Sequence, residues 1–213
     1  MSDDFKFVLD GKTVSLKNAR KASVLVISTE DKVAQLFYSQ SAFRLWAEKS
    51  EHAEKLAQMD ELVRRAKRYK NADNTAAIKR QQTTTKRITK ELKELARTTG
   101  LPFNSEELFL RATSDCHPLE APVFDPAILF EHINRSGRAL PLVSGVPYAD
   151  LRLFGFNDIA SSLISNGACA LWADIWFTGR WILLLPLSRP GPPPTVNLTV
   201  IDFNDVASSA LVL

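Results

Sequence analysis

A seven-residue phrase that occurs twice places the strongest constraint on how this chain can fold. Phe-Asn-Asp-Ile-Ala-Ser-Ser at 156–162 returns as Phe-Asn-Asp-Val-Ala-Ser-Ser at 203–209, with six of the seven positions identical. Each copy follows a segment with strand-like patterning, at 150–154 and 196–201. Because Asn and Asp side chains bond to nearby backbone, the phrase indicates a turn or a short helix cap after each strand. Two interpretations stay open: a duplicated hairpin in one β-sheet, or common turn chemistry that recurs by chance.

The charge of the chain is divided between two regions of different composition. Residues 62–97 hold 12 Lys and Arg against 3 acids, whereas residues 113–213 hold 5 Arg, no Lys and 9 acids. The formal net charge of +3 for the whole chain hides this division. A basic middle joined to an apolar, Lys-free region predicts two parts, one that meets a polyanion and one that packs with itself or with copies of itself.

The predicted elements indicate an α+β fold in two parts, 1–100 and 101–213. An N-terminal β-hairpin is predicted around Asp10-Gly11, because this dipeptide is a strong two-residue turn signal between alternating segments. A further strand is predicted at 23–28.

The middle of the chain is patterned as helix. Thr29-Glu30-Asp31 can cap a helix that runs from Lys32 to about Lys70. After a loop at 71–74, a second helix is predicted over 75–99, where Gly100 and Pro102 end it. These two helices are expected to form a long helical hairpin with a coiled-coil seam, in which Gln81 and Thr85 are polar members.

The second part is predicted to be small, antiparallel and rich in β-structure. Its predicted elements are short helices at 105–113 and 125–135, a hairpin that joins 168–177 to 180–187, a surface loop at 188–194, and a strand at 195–202.

One side of the predicted helices carries a continuous set of cations. With Ile78 at heptad position a, the Lys and Arg residues of the second helix lie away from the apolar seam. No acid occurs from Asn74 to Lys90, so pairing with Glu at i, i+4 within this window is not available. The alternative is a solvated helix surface, but such a one-sided face favours phosphate binding. The candidate nucleic-acid contacts are Arg64, Arg65, Lys67, Arg68, Lys70, Lys79, Arg80, Lys86, Arg87, Lys90 and Lys93.

Three tryptophans lie in the predicted C-terminal hairpin, which is apolar on both faces. Trp172 and Trp176 share one face by strand alternation, and Trp181 follows in the next strand. A strand that is apolar on both faces needs a cover on each, either from the helical part or from a second subunit. We therefore predict an oligomer interface at these residues, with core packing and insertion into a lipid interface as the alternatives.

The residues that most often carry catalysis or bind transition metals are few and scattered. They are His52, Cys116, His117, His132 and Cys169. Their spacing fits neither a zinc site nor a disulfide framework, so we predict no catalytic residue, no metal and no cofactor. The carboxylate pairs Glu106-Glu107 and Asp202/Asp205 are assigned to a helix start and a turn. Free buried thiols and an acidic N-terminus without an apolar segment predict an intracellular, reducing location, or a particle assembled there.

These expectations together favour a non-enzymatic, self-associating structural protein that binds RNA or DNA without sequence preference. A coat or nucleocapsid-type, capsid-like homo-oligomer would combine the basic helices with the apolar hairpin. The main alternative is a protein-interaction or scaffold module built on the coiled-coil hairpin. A membrane-active protein is less favoured, because Asp174 and Thr178-Gly179-Arg180 interrupt the longest apolar segment.

Overall fold

The strands of the chain form two sheets that share one apolar core. The computed structural model describes residues 5–70, 75–103, 105, 107–108, 127–185 and 195–213. The strands are β1 (Lys6–Leu9), β2 (Lys12–Val14), β3 (Val24–Ser28), β4 (Val33–Phe37), β5 (Ala127–His132), β6 (Ser136–Leu142), β7 (Ser162–Ser165), β8 (Cys169–Asp174), β9 (Thr178–Leu184), β10 (Thr195–Asn197) and β11 (Ser209–Val212). The helices are α1 (Leu16–Ala19), α2 (Gln40–Ala47), α3 (Ala53–Arg68) and α4 (Thr75–Thr99).

The larger sheet combines strands from both ends of the chain. Among the described residues its seven strands run in the order β11-β8-β9-β3-β4-β1-β2, and the smaller sheet has the order β10-β7-β5-β6. The junction is the parallel pair β3 and β9, in which Val24 lies opposite Trp181 and Ile27 opposite Leu184. One sheet therefore spans the boundary predicted between 1–100 and 101–213.

Apolar side chains fill the space between the two sheets. Leu25, Ile27 and Leu36 from the larger sheet share one cluster with Leu129 and Leu163 from the smaller sheet. All five of these side chains are at most 2% exposed. Burial of whole Leu and Ile side chains stabilises the fold by about 1.5–3 kcal/mol each, so this central layer holds the sheets together.

Helices cover the outer face of each sheet. On the larger sheet, Phe43 of α2 and Met59 of α3 pack over Val26, Trp172 and Trp181. On the smaller sheet, Ile88 and Leu92 of α4 pack over Ile128, Phe130 and Ile164. The continuous apolar runs of β8 and β9 follow from this arrangement, because strands covered on both faces lose the alternation of polar and apolar residues.

The predicted helical hairpin with a coiled-coil seam is wrong. The apolar stripes of α3 and α4 contact different sheets, so they do not form a seam with each other. The polar seam residues bond to the β-rich part instead: Gln81 Nε2 donates to Pro147 O at 3.4 Å, and Thr85 Oγ1 lies 3.2 Å from the Tyr148 hydroxyl. The α+β class is correct at the level of mixed helix and strand content.

The N-terminal β-hairpin, β3, α4 and the β8–β9 hairpin confirm the corresponding predictions. The helix predicted from Lys32 to about Lys70 is wrong at its start, because Ala34 and Leu36 alternate inward in β4 and are at most 2% exposed, but α2 and α3 form within the rest of that range. The helix predicted at 125–135 is also wrong, since 127–130 form a strand that is buried on both faces.

A single-turn 3-10 helix replaces the strand predicted at 150–154, and another replaces the second half of the strand predicted at 195–202, whose first three residues form β10. Leu151–Phe154 and Leu198–Ile201 each precede one copy of the repeated phrase. Asp150 caps the first of them by accepting a hydrogen bond from Arg152 N at 3.0 Å, which a strand would not allow. The loops predicted at 71–74 and 188–194 and most of the helix predicted at 105–113 lie outside the described residues. In the described part of the chain, no helix has the length and apolar content needed to cross a bilayer.

Candidate functional site

The two copies of the repeated phrase bond to each other reciprocally. Asp158 N donates to Ala207 O at 3.0 Å, and Asp205 N donates to Ala160 O at the same distance. Each Asp amide thus binds the carbonyl that precedes the serines of the other copy. These two backbone hydrogen bonds join the two turns to each other.

Side chains repeat this exchange. Ser208 Oγ donates to Asp158 Oδ1 at 2.9 Å, and Ser161 Oγ donates to Asp205 Oδ1 at 3.1 Å. The serines are 5% and 6% exposed, whereas both aspartates are exposed. Each carboxylate is therefore held by a buried hydroxyl of the opposite copy while its remaining surface is open to solvent.

The local backbone of the two copies is the same. Asp158 and Asp205 both have φ of +53°, and the residues that end the preceding 3-10 helices, Gly155 and Asp202, have φ of +64° and +56°. Non-glycine residues seldom adopt positive φ, and Asp is among the few that tolerate it. The phrase is thus a structural repeat, but its copies lead into β7 and β11 in different sheets, which is not the duplicated hairpin in one sheet that was one of the two open interpretations.

The last serine of each copy holds a hairpin turn. Ser162 Oγ donates to His132 O at 2.6 Å and accepts from Arg135 N at 3.1 Å. Ser209 Oγ donates to Asp174 O at 2.8 Å and accepts from Phe177 N at 3.1 Å. The residue types Asp and Ser in each phrase therefore position both a carboxylate and the hairpin beside it.

An amide oxygen in each copy is buried without a donor. Asn157 Nδ2 donates to Asp158 Oδ2 at 2.5 Å, and Asn204 Nδ2 donates to Asp205 Oδ2 at 2.6 Å. The Oδ1 atoms of Asn157 and Asn204 are buried and have no hydrogen-bond partner. A buried acceptor without a partner costs about 1–3 kcal/mol, and these two atoms occupy equivalent positions in the two copies.

The donor set of these sites consists of oxygen atoms only. Each aspartate carboxylate meets a serine hydroxyl of the other copy and the amide of the preceding asparagine, and oxygen ligands of these kinds are the ones that Ca²⁺ prefers. In the described part of the chain, no three or more His, Cys, Asp and Glu side chains lie together as a possible metal cluster.

Sequence reasoning found the repeated phrase but not its site. It assigned Asp205 to turn chemistry and predicted no metal, because the Asp–Ser contacts join residues far apart in the chain. The signal was present in the repeat itself, since the same Asn, Asp and Ser types recur at the same spacing in both copies.

All eleven cations predicted to contact nucleic acid are exposed on α3, on α4 and at Lys70, which follows α3. With described acids, three of them make ion pairs: Arg64 and Arg65 with Glu61, at 2.9 and 2.7 Å, and Arg87 with Glu91 at 2.9 Å. Glu91 lies one residue beyond the acid-free window. These cations thus lie on the exposed faces of the helices, whereas the apolar faces of α3 and α4 pack on the two sheets.

The predicted interface tryptophans occupy two environments. Trp172 and Trp181 are 6% and 4% exposed and lie under α2 and α3 of the same chain. Trp176 is partly buried in the β8–β9 turn, where its N–H donates to Ala149 O at 2.7 Å. The cover that the first two require is therefore supplied by the chain's own helices.

The thiol and imidazole groups form no site within the described residues. Cys169 is fully buried, and burial raises the pKa of its thiol from 9.0 to about 12, so it stays protonated at neutral pH. His52 lies beside Glu51, with Nε2 3.5 Å from Oε1. Cys116 and His117 lie outside the described residues.

Comparison with known proteins gives a match in sequence. A beta/gamma-crystallin of Ciona intestinalis is 39% identical over 66 residues, which are 30% of this chain and 76% of that protein. No protein-family model matches the chain.

Two solved structures resemble part of the chain. A beta gamma crystallin from Ciona intestinalis is 32% identical, covers 41% of this chain and 99% of its own, and gives a TM-score of 0.35. A structure concerned with the evolution of the eye lens beta-gamma-crystallin domain fold is 25% identical, covers 46% of this chain and 93% of its own, and gives a TM-score of 0.36. The chain covers 76% of the Ciona intestinalis beta/gamma-crystallin that it matches in sequence. Because it does so at 39% identity, the chain belongs to the beta/gamma-crystallin family.

Proposed function

We infer that this chain is a non-enzymatic, crystallin-like structural protein that binds two Ca²⁺ ions, one at each copy of the repeated phrase. The observation that carries this proposal is the reciprocal pair of oxygen sites. In each, an exposed carboxylate accepts a hydrogen bond from a buried serine hydroxyl of the other copy, and the preceding asparagine has a buried amide oxygen that has no donor. A divalent cation supplies the positive partner that both kinds of oxygen lack.

The residues of each site come from both copies. Asp158, Ser208 and Asn157 would hold one ion, and Asp205, Ser161 and Asn204 would hold the other. When bound, each ion supplies a fixed positive charge that ties one turn to the opposite copy. Binding to the folded state only then stabilises the protein, by about 2.7 kcal/mol per site at 100 times the dissociation constant.

The prediction of a nucleic-acid-binding coat or nucleocapsid subunit is wrong. The matched relative is a beta/gamma-crystallin, and the helices that were expected to form a basic hairpin instead cover the two sheets. The coiled-coil scaffold alternative fails for the same reason, because Gln81 and Thr85 contact the chain's own β-rich part. Self-association, an intracellular location and the absence of enzymatic activity stay predictions.

The test is a calorimetric Ca²⁺ titration of protein that has been stripped of metal with a chelator. We expect two ions per chain in the wild type. Asp158→Asn and Asp205→Asn should each weaken one site at least tenfold, because asparagine keeps the positive φ but removes the charge. Asp60→Asn on α3 is the matched control and should bind two ions, since Asp60 is exposed and belongs to neither phrase.

Thermal unfolding gives an independent measurement. Saturating Ca²⁺ should raise the midpoint of the wild type and of Asp60→Asn, and should raise that of the Asp158→Asn/Asp205→Asn double variant much less. A wild type with no Ca²⁺-dependent heat, or a double variant that binds as tightly as the wild type, would show that the repeated phrase is not a calcium site.

A further inference from the structure

A cavity of about 430 Å³ opens where the end of α3 and the start of α4 meet the segment that joins β6 to β7. This volume is within the range of about 300–1,000 Å³ that is typical of small-molecule sites. We propose that the cavity binds one uncharged aromatic molecule. The proposal does not rest on calcium binding, because none of the described residues that line the cavity belongs to a repeated phrase.

The lining presents apolar surface to solvent. Tyr69, which follows α3, is 57% exposed, and Leu153 is 42% exposed. Ile78, Phe154 and Trp176 are half-buried, so part of each side chain stays open. Of the six large hydrophobic side chains that are exposed in the described part of the chain, two thus line this one cavity. Exposed apolar surface that is concentrated in this way is typical of a binding site.

Aromatic rings from three separate elements border the cavity. Tyr69 comes from the end of α3, Phe154 from the 3-10 helix before the first repeated phrase, and Trp176 from the β8–β9 turn. Phe154 is held in place by the fully buried Tyr148, with ring centroids 5.1 Å apart. Because ring faces and edges attract other aromatic rings, this lining favours an aromatic ligand over an aliphatic one.

The lining has no unpaired charge among its described residues. It contains no Lys or Arg there, and Asp150 is its one carboxylate. The Asp150 side chain is 12% exposed and accepts from Arg152 Nε at 2.9 Å and from Arg152 Nη2 at 2.7 Å, so its charge is already neutralised. An ion that entered would lose hydration without gaining a partner, whereas an uncharged molecule would not. Gln81 and Tyr69 supply uncharged polar groups for a hydroxyl or carbonyl on the ligand.

The turn that carries Trp176 has a counterpart in the smaller sheet. Trp176 and Phe177 have φ of +60° and +57°, and Asn134 and Arg135, at the same places in the β5–β6 turn, have φ of +55° and +61°. Asparagine tolerates positive φ, whereas a bulky side chain seldom adopts it. Strained backbone of this kind is concentrated at functional sites. A tryptophan where asparagine is favoured therefore indicates that the indole serves the cavity that it lines.

The probe for this site is N-phenyl-1-naphthylamine, an uncharged aromatic amine that fluoresces in apolar surroundings. Titration of the full chain in chelator should saturate at one probe per chain. Because chelator removes bound Ca²⁺, failure of the calcium proposal would leave this result unchanged. As competitors, 1-naphthol should displace the probe, and naphthalene-1-sulfonate should need at least a tenfold higher concentration. No saturable binding, or equal displacement by the two naphthalenes, would contradict the proposal.

Two neighbouring alanines of α4 give a matched pair of variants. Ala76 and Ala77 are both exposed, but only Ala77 lines the cavity. Ala77→Trp should fill the cavity and weaken probe binding at least tenfold, whereas Ala76→Trp should leave the affinity unchanged. Near-ultraviolet circular dichroism checks that both variants keep a native fold. Equal probe affinities of the two natively folded variants would overturn the proposal.

Trp176→Asn tests the opposite wall of the cavity. It installs the residue that the β5–β6 turn has at the same place, so the fold should be retained while probe affinity falls at least tenfold. Wild-type affinity in this variant would refute the proposal. So would a second copy of the chain as the occupant, which sedimentation would reveal as a dimer that Ala77→Trp dissociates.

Discussion

Replacement of Ser209 by alanine should destabilise the fold by more than the loss of one ordinary hydrogen bond. Ser209 is fully buried, and its Oγ both donates to Asp174 O at 2.8 Å and accepts from Phe177 N at 3.1 Å. Alanine leaves both backbone groups without this partner, at about 1–3 kcal/mol each. We expect a loss of about 3 kcal/mol, which for a chain of this size lowers the melting midpoint by roughly 6–12 °C.

Urea unfolding followed by tryptophan fluorescence measures this loss, because Trp172 and Trp181 stack in the core that the same hairpin completes. The matched control is Ser165→Ala, which removes one buried hydroxyl that makes a single bond, to Gly167 O at 2.9 Å. The control should lose only about 1 kcal/mol. If Ser209→Ala cost no more than Ser165→Ala at equal m-values, the hairpin would not depend on the two bonds of Ser209.

Further predictions concern α4 and the buried thiol. Leu92→Ala should cost about 2–5 kcal/mol in urea unfolding, because Leu92 is 6% exposed against the smaller sheet, whereas Lys93→Ala should change stability by less than about 0.5 kcal/mol. Cys169 should resist thiol reagents in the native state. Since its pKa rises from 9.0 to about 12 on folding, only the unfolded state loses the proton in this interval, and stability should fall as pH increases from about 9 to 12. Cys169→Ala should show a smaller loss than the wild type when unfolding is measured across that pH range.

Local sequence patterns correctly predicted the elements that are determined by residues within their own segment. The Asp10-Gly11 hairpin formed as predicted, with φ of +48° and +76° at its two turn residues. The helix over 75–99 also formed, because its apolar stripe and its end at Gly100 lie within one continuous segment. Such features need no knowledge of distant partners.

Features that depend on distant partners were beyond sequence patterning. The stripe of α4 has coiled-coil spacing, but Ile88 and Leu92 use it to pack on a sheet formed by residues 127–165 and 195–197. The spacing of the apolar residues indicates that a helix has an apolar face, but it does not show which element covers that face. The oxygen sites also depend on distant partners, because Asp158 contacts Ser208 only when folding has brought the two repeats together.

The two repeats are alike in their turns and unlike in their surroundings. The first lies near α4, whose Gln82 Nε2 donates to Leu153 O at 2.7 Å in the preceding 3-10 helix. The second lies near α1, where Arg20 pairs with Asp202 at 3.2 Å, and Arg180 donates to Asp202 O at 2.9 Å. The aspartate of each turn holds a serine of the other, so the contacts of both copies meet in one cluster. Helix α4 and the residue that follows α1 therefore contact the segments that precede the two repeats, whereas the carboxylates of Asp158 and Asp205 stay open to solvent.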